Sequence, residues 1–140
     1  MSALESLIRL HRWQLDERRR HVAELEELAE RLREEQYRLD AESEREQAVA
    51  GAPPEGATYA AHMRRLIDRR RKLVQSRAEV AERIVRARDA LTEALEEVKR
   101  YEIIIANRTR QQEVRQERRQ RRTLDDLGGE SFRRGNAGKE

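Results

Sequence analysis

Three histidines, His11, His21 and His62, are the side chains that could ligate a metal or carry a proton near neutral pH. A helical metal site of the two-histidine kind needs a second ligand at i+4 with a carboxylate beside it. Leucine stands at that spacing after each histidine: Leu15, Leu25 and Leu66. His11 falls on an apolar helical seam and reads as a packed histidine. Asp125-Asp126 reads as a solvated helix end rather than an acid pair for proton transfer. No glycine-rich phosphate loop is present, and with no cysteine neither a disulfide nor a thiolate metal site can form. No catalytic constellation results. The expectation is a protein that is not an enzyme, with no cofactor, no metal and no small-molecule substrate.

The remaining chemistry is that of arginine. Residues 108–122 hold Arg108, Arg110, Arg115, Arg118, Arg119, Arg121 and Arg122, with Glu113 and Glu117 the acids among them. Clustered guanidinium groups neutralise phosphates or acidic protein surfaces. Basic zippers place such a helix before a parallel dimeric coil. Here it follows the apolar pattern and lacks interleaved aromatics, so nucleic acid is the lesser reading and an acidic protein surface the greater. Formal net charge is +3, which selects no partner class by itself.

These residues must be carried by long helices. Stepping alternately by four and three from Tyr59 visits Met63, Leu66, Arg70, Leu73, Arg77, Val80, Ile84, Ala87, Leu91, Ala94, Val98, Tyr101 and Ile105; twelve of these fourteen are apolar. A 3.5-residue repeat is the signature of a helix burying one narrow seam against another helix. A second seam runs Leu4, Ile8, His11, Leu15, Arg18, Val22, Leu25, Ala29, Leu32, Gln36, Leu39, eight of eleven apolar. Ala, Glu, Lys, Leu and Arg make up 84 of 140 residues, or 60%, above the roughly 50% that marks coiled coils. The longest aliphatic run, Ile103 to Ala106, is far below the roughly 18 residues a membrane span requires. A cytoplasmic protein is expected.

Ser2 with Glu5 has capping-box spacing. Gly51-Ala52-Pro53-Pro54-Glu55-Gly56 breaks any helix, and Thr58 can cap the next. The expected architecture is all-α: two long helices forming an antiparallel coiled-coil hairpin over residues 2–127. Helix 1 spans about 3–50, the connection 51–57 and helix 2 about 58–125. The second helix is longer and ends in the basic overhang; Gly128-Gly129 stops it, and 128–140 is a disordered tail.

A turn centred on Pro53-Pro54 pairs residues whose numbers sum to about 107, and charge supports that register. Residues 24–46 carry ten acids and four bases; residues 61–83 carry eight bases and three acids. Nearer the termini the signs reverse on both helices. Each exposed pair contributes only about 0.2–1 kcal/mol, but matched blocks disfavour slipped registers. The same rule puts Leu4 near Ile103 and leaves about 20 residues projecting without a partner, a length of polar helix that is marginal alone. Arg70 and Arg77, within the seam, are expected to reach out to Glu30, Glu34 or Glu35.

Four apolar residues lie off the seams at the termini-bearing end: Leu10, Trp13, Ile103 and Ile104. Grouped with arginines, they suggest a contact surface. Tyr37, His62 and Ile67 form a weaker patch toward the connection.

Three stretches carry a resemblance. Leu7-Ile8-Arg9-Leu10-His11-Arg12-Trp13-Gln14-Leu15-Asp16-Glu17 opens the first helix; Tyr59-x-x-His62-Met63-x-x-Leu66 opens the second; Arg118-Arg119-Gln120-Arg121-Arg122-Thr123-Leu124-Asp125-Asp126-Leu127 closes the basic segment. Together they resemble the FliJ family of the flagellar type III export apparatus over nearly the whole chain. The Gly-Pro-Pro-Glu-Gly connection departs from the family pattern, and His62 stands where the family often has an aromatic residue. The resemblance implies a stalk similar in shape to the shaft of rotary ATPases. It implies three partners: the hexameric export ATPase, the cytoplasmic part of the export-gate membrane protein, and export chaperones. The location implied is cytoplasmic, peripheral to the inner membrane at the flagellar base. By this likeness Leu10, Trp13, Ile103, Ile104, Arg108, Arg110 and Arg115 would meet the ATPase. Leu32, Leu39, His62, Leu66 and Leu73 fall where gate-contacting residues lie, although the four leucines are also seam positions.

Overall fold

The computed structural model describes residues 2–49 and 56–137. It consists of two helices, α1 (Ala3–Val49) and α2 (Gly56–Ala137), packed against each other as a hairpin. At 1.5 Å per residue, α1 is about 70 Å long and α2 about 120 Å. No described helix is long and apolar enough to cross a membrane.

Ser2 caps α1: its Oγ accepts a hydrogen bond from the Glu5 backbone N–H at 3.3 Å, and its carbonyl accepts from Ser6 N at 3.2 Å. α2 begins at Gly56, so Thr58 lies in its first turn rather than at a cap. The connection, residues 50–55, lies outside the described residues.

The core is the seam. All ten buried residues are seam positions: Ile8, Leu15, Val22, Leu25 and Leu39 on α1, Leu66, Leu73, Val80, Ala87 and Val98 on α2. His11, the expected packed histidine, stacks on Tyr101 with ring centroids 4.6 Å apart. The core is not continuous. Val22, Leu25 and Ala87 form one cluster with Ile84 and Leu91; Leu39, Leu66 and Leu73 form another with Leu32 and Met63. Arg77 Nη1 donates to Gln36 Oε1 at 2.6 Å, at seam positions between Leu32 and Leu39 on α1 and between Leu73 and Val80 on α2.

The register differs from the expected one. Cross-helix partners have numbers summing to 108 for Glu46 with His62, 110 for Asp40 with Arg70, and 114 for both Glu26 with Arg88 and Arg12 with Glu102. Part of the offset is geometric: helical side chains lean toward their own N-terminus, so touching residues sit slightly C-terminal of level ones on both strands. The rest shows that the midpoint of the connection does not set the register. The offset also redirects the seam arginines. Arg70 pairs with Asp40 at 2.9 Å and Arg77 with Gln36, in place of Glu30, Glu34 or Glu35. Asp40 with Arg70 joins the acidic block to the basic one and the sign is reversed at Arg12 and Glu102, whereas Glu26 meets Arg88 beyond the edge of the basic block.

A second correction concerns the C-terminus. α2 does not stop at Gly128-Gly129; it continues to Ala137, and neither glycine has positive φ. A glycine ends a helix by adopting the left-handed conformation, and with ordinary φ it is only a weak helix residue. Residues 130–137 are therefore helical rather than a disordered tail. Residues 138–140 lie outside the described residues.

Candidate functional site

The termini-bearing end combines three features. Leu4, Ile104, Asn107, Arg108 and Gln111 line a shallow groove where α1 begins. Leu4 thus faces residues beyond Ile103, and Arg108 belongs to the end of the hairpin rather than to the free overhang. The projecting segment starts near Gln111 and extends about 40 Å to Ala137. Every residue from 106 to 135 is exposed, Arg110 and Arg115 included.

The four off-seam apolar residues at this end are all exposed, Trp13 and Ile103 at 60% each. They do not form one patch. Arg12 and Glu102, each one residue after a seam position, pair with each other at 3.5 Å, so the positions following the seam share one side of the hairpin. Positions preceding the seam share the other side. Leu10, before His11, and Ile104, before Ile105, lie there together with exposed Leu7, before Ile8. Trp13 and Ile103 are two residues past the stacked pair His11 and Tyr101, about 200° around their helices. They face away from the seam on opposite outer surfaces. Leu7 was missed because its interval from Leu4 fits a seam position as well as a surface one.

Toward the connection the expected contact residues divide. Leu39, Leu66 and Leu73 are buried, Leu39 at 3% exposure, and Leu32 is half-buried against them. A partner reaches these four only by parting the helices. His62, by contrast, keeps 41% of its side chain in solvent. The accessible apolar surface here is Tyr37, 77% exposed and ringed by Glu30, Arg33, Glu34 and Arg38, together with Ile67, Val74 and Val85. Each of the four follows a seam residue, so they share the side on which Arg12 meets Glu102. Ile67, Arg70, Arg71, Val74, Gln75 and Ala78 border a shallow groove on α2. Val74 and Val85 already lie off the seam that spacing gives, one residue past Leu73 and Ile84, but were not read as a surface.

The arrangement offers contact surfaces at two separated places along a rod: a basic helix with apolar residues at its root, and a Tyr37–Ile67–Val74 face framed by arginines. No family model, no curated protein and no solved structure matches this chain.

Proposed function

We propose that this chain is a stalk of the FliJ kind, linking the hexameric flagellar export ATPase to the membrane export gate and assisting export chaperones. It would act in the cytoplasm, peripheral to the inner membrane at the flagellar base. The observation that carries this reading is the single basic helix that continues α2 past the end of α1. A lone helix with side chains is about 10–12 Å across, narrow enough to enter the central hole of a ring where a two-helix rod is twice as wide. Its arginines suit an acidic lining, and charge-assisted hydrogen bonds to carboxylates are the strong kind. Leu7, Leu10, Ile104 and Arg108 form the shoulder that would seat against the ring. The gate would meet the side carrying Tyr37, Ile67 and Val74, with His62 nearby on the other side. Leu32, Leu39, Leu66 and Leu73 support that surface from within.

The test is ATP hydrolysis by the flagellar export ATPase, titrated with the full chain and with a truncation ending at Gln111. Stimulation by the full chain alone is expected. No stimulation by either, with no co-elution, overturns the proposal.

The seven arginines of residues 108–122 also favour a second reading, a nucleic-acid binder. It requires duplex binding at low salt that weakens steeply as salt rises.

A further inference from the structure

Glu42 and Glu46 stand one turn apart on α1, so their carboxylates share a face. α2 brings His62 to the same place. One ligand-capable atom from each of the three side chains lies within 4.8 Å of the other two. His62 Nε2 lies 2.5 Å from Glu46 Oε2. That nitrogen is shut off from solvent, yet its alignment makes no hydrogen bond. Its short contact with Glu46 is at ion-pair distance but outside hydrogen-bond alignment. The two glutamates repel each other across the turn. Among the described residues, the ion-pair partner of Glu46 is this histidine rather than an arginine.

We propose that Glu42, Glu46 and His62 form a binding site for a divalent transition-metal ion of the zinc class, bridging α1 and α2 beside their connection. Imidazole nitrogen and carboxylate oxygen both ligate zinc, at about 2.0–2.2 Å. Atoms within 4.8 Å of one another are near enough to share such a centre. Three protein ligands with water in the fourth position is the pattern of an open zinc site, and the partial exposure of His62 and Glu46 admits that water. A nitrogen donor turns the set away from calcium and magnesium, which take oxygen ligands. The dication would relieve the repulsion between the glutamates and take the histidine nitrogen as a ligand. It would also join the helices where the seam turns polar, at Ser43 and Glu46. The sequence hid this site because its ligands come from two helices and no single-helix spacing contains them. The inference is independent of the stalk proposal.

The experiment is calorimetric titration of Zn2+ into the untagged full chain, with thermal unfolding followed with and without the metal. One ion per chain and a metal-dependent rise in Tm are expected. Glu46→Gln and His62→Asn should each weaken binding by more than the roughly tenfold that loss of an outer-shell partner costs. Glu42→Gln should also weaken it. His11→Asn and His21→Asn should bind as the parent does, and Co2+ should give a visible absorption band that His62→Asn lacks. Far-UV circular dichroism verifies that each variant is folded. No binding and no rise in Tm with zinc in excess overturns the proposal, as does binding that survives His62→Asn.

Discussion

Leu39 is the most deeply buried of the ten core residues and lies in the cluster nearer the connection. Leu39→Ala should lower stability by about 2–3 kcal/mol, the lower part of the range for such truncations, because a two-helix seam can collapse around the gap. Urea unfolding followed by circular dichroism checks it. Glu26 and Arg88 make a 2.9 Å ion pair, but both side chains are about half exposed. Glu26→Ala should therefore cost less than about 1 kcal/mol and still less at high salt. Gly128 and Gly129 differ from both: a Cβ at either position meets nothing within 4 Å. Replacing each with alanine should favour the helix by about 1 kcal/mol, seen as an increased far-UV helical signal. An unchanged signal would show that the segment is not helical in solution.

The two helices are held by an interrupted seam. Gln36 and Arg77 place a hydrogen-bonded polar pair in the seam, and such a pair fixes register at some expense of stability. Replacing both with leucine should raise Tm while weakening the preference for one register and promoting self-association. Light scattering beside thermal unfolding checks both parts. Among the described residues of α2, none beyond Glu102 makes a cross-helix hydrogen bond or ion pair. Truncation after Gln111 should leave the Tm of the hairpin unchanged, whereas truncation within the seam at Val98 should lower it.

For the whole molecule, the side of the rod on which a residue lies matters more than which end it occupies. Leu10 and Ile104 share a side; Trp13 and Ile103 point apart. If the ring engages the shoulder, Leu10→Ala with Ile104→Ala should weaken stimulation of the export ATPase more than Trp13→Ala with Ile103→Ala. Far-UV circular dichroism should be unchanged in both. Equal effects would mean that the ring surrounds the end rather than seating on one side.

The sequence by itself determined two long helices, their antiparallel pairing and the identity of the core, because a 3.5-residue repeat on both arms and a proline break between them admit few alternatives. All ten buried residues stand on the seams read from spacing alone. Matched charge blocks also foretold the sign at Asp40 with Arg70 and at Arg12 with Glu102 but not at Glu26 with Arg88. Only the tertiary structure decided the register. That follows from how side chains interdigitate and lean, which a midpoint in the connection does not encode. Register in turn decided that Arg70 meets Asp40 and that Leu4 shares a groove with Ile104 and Arg108. It also brought Glu42, Glu46 and His62 together from two helices, a proximity for which no local spacing is a signal.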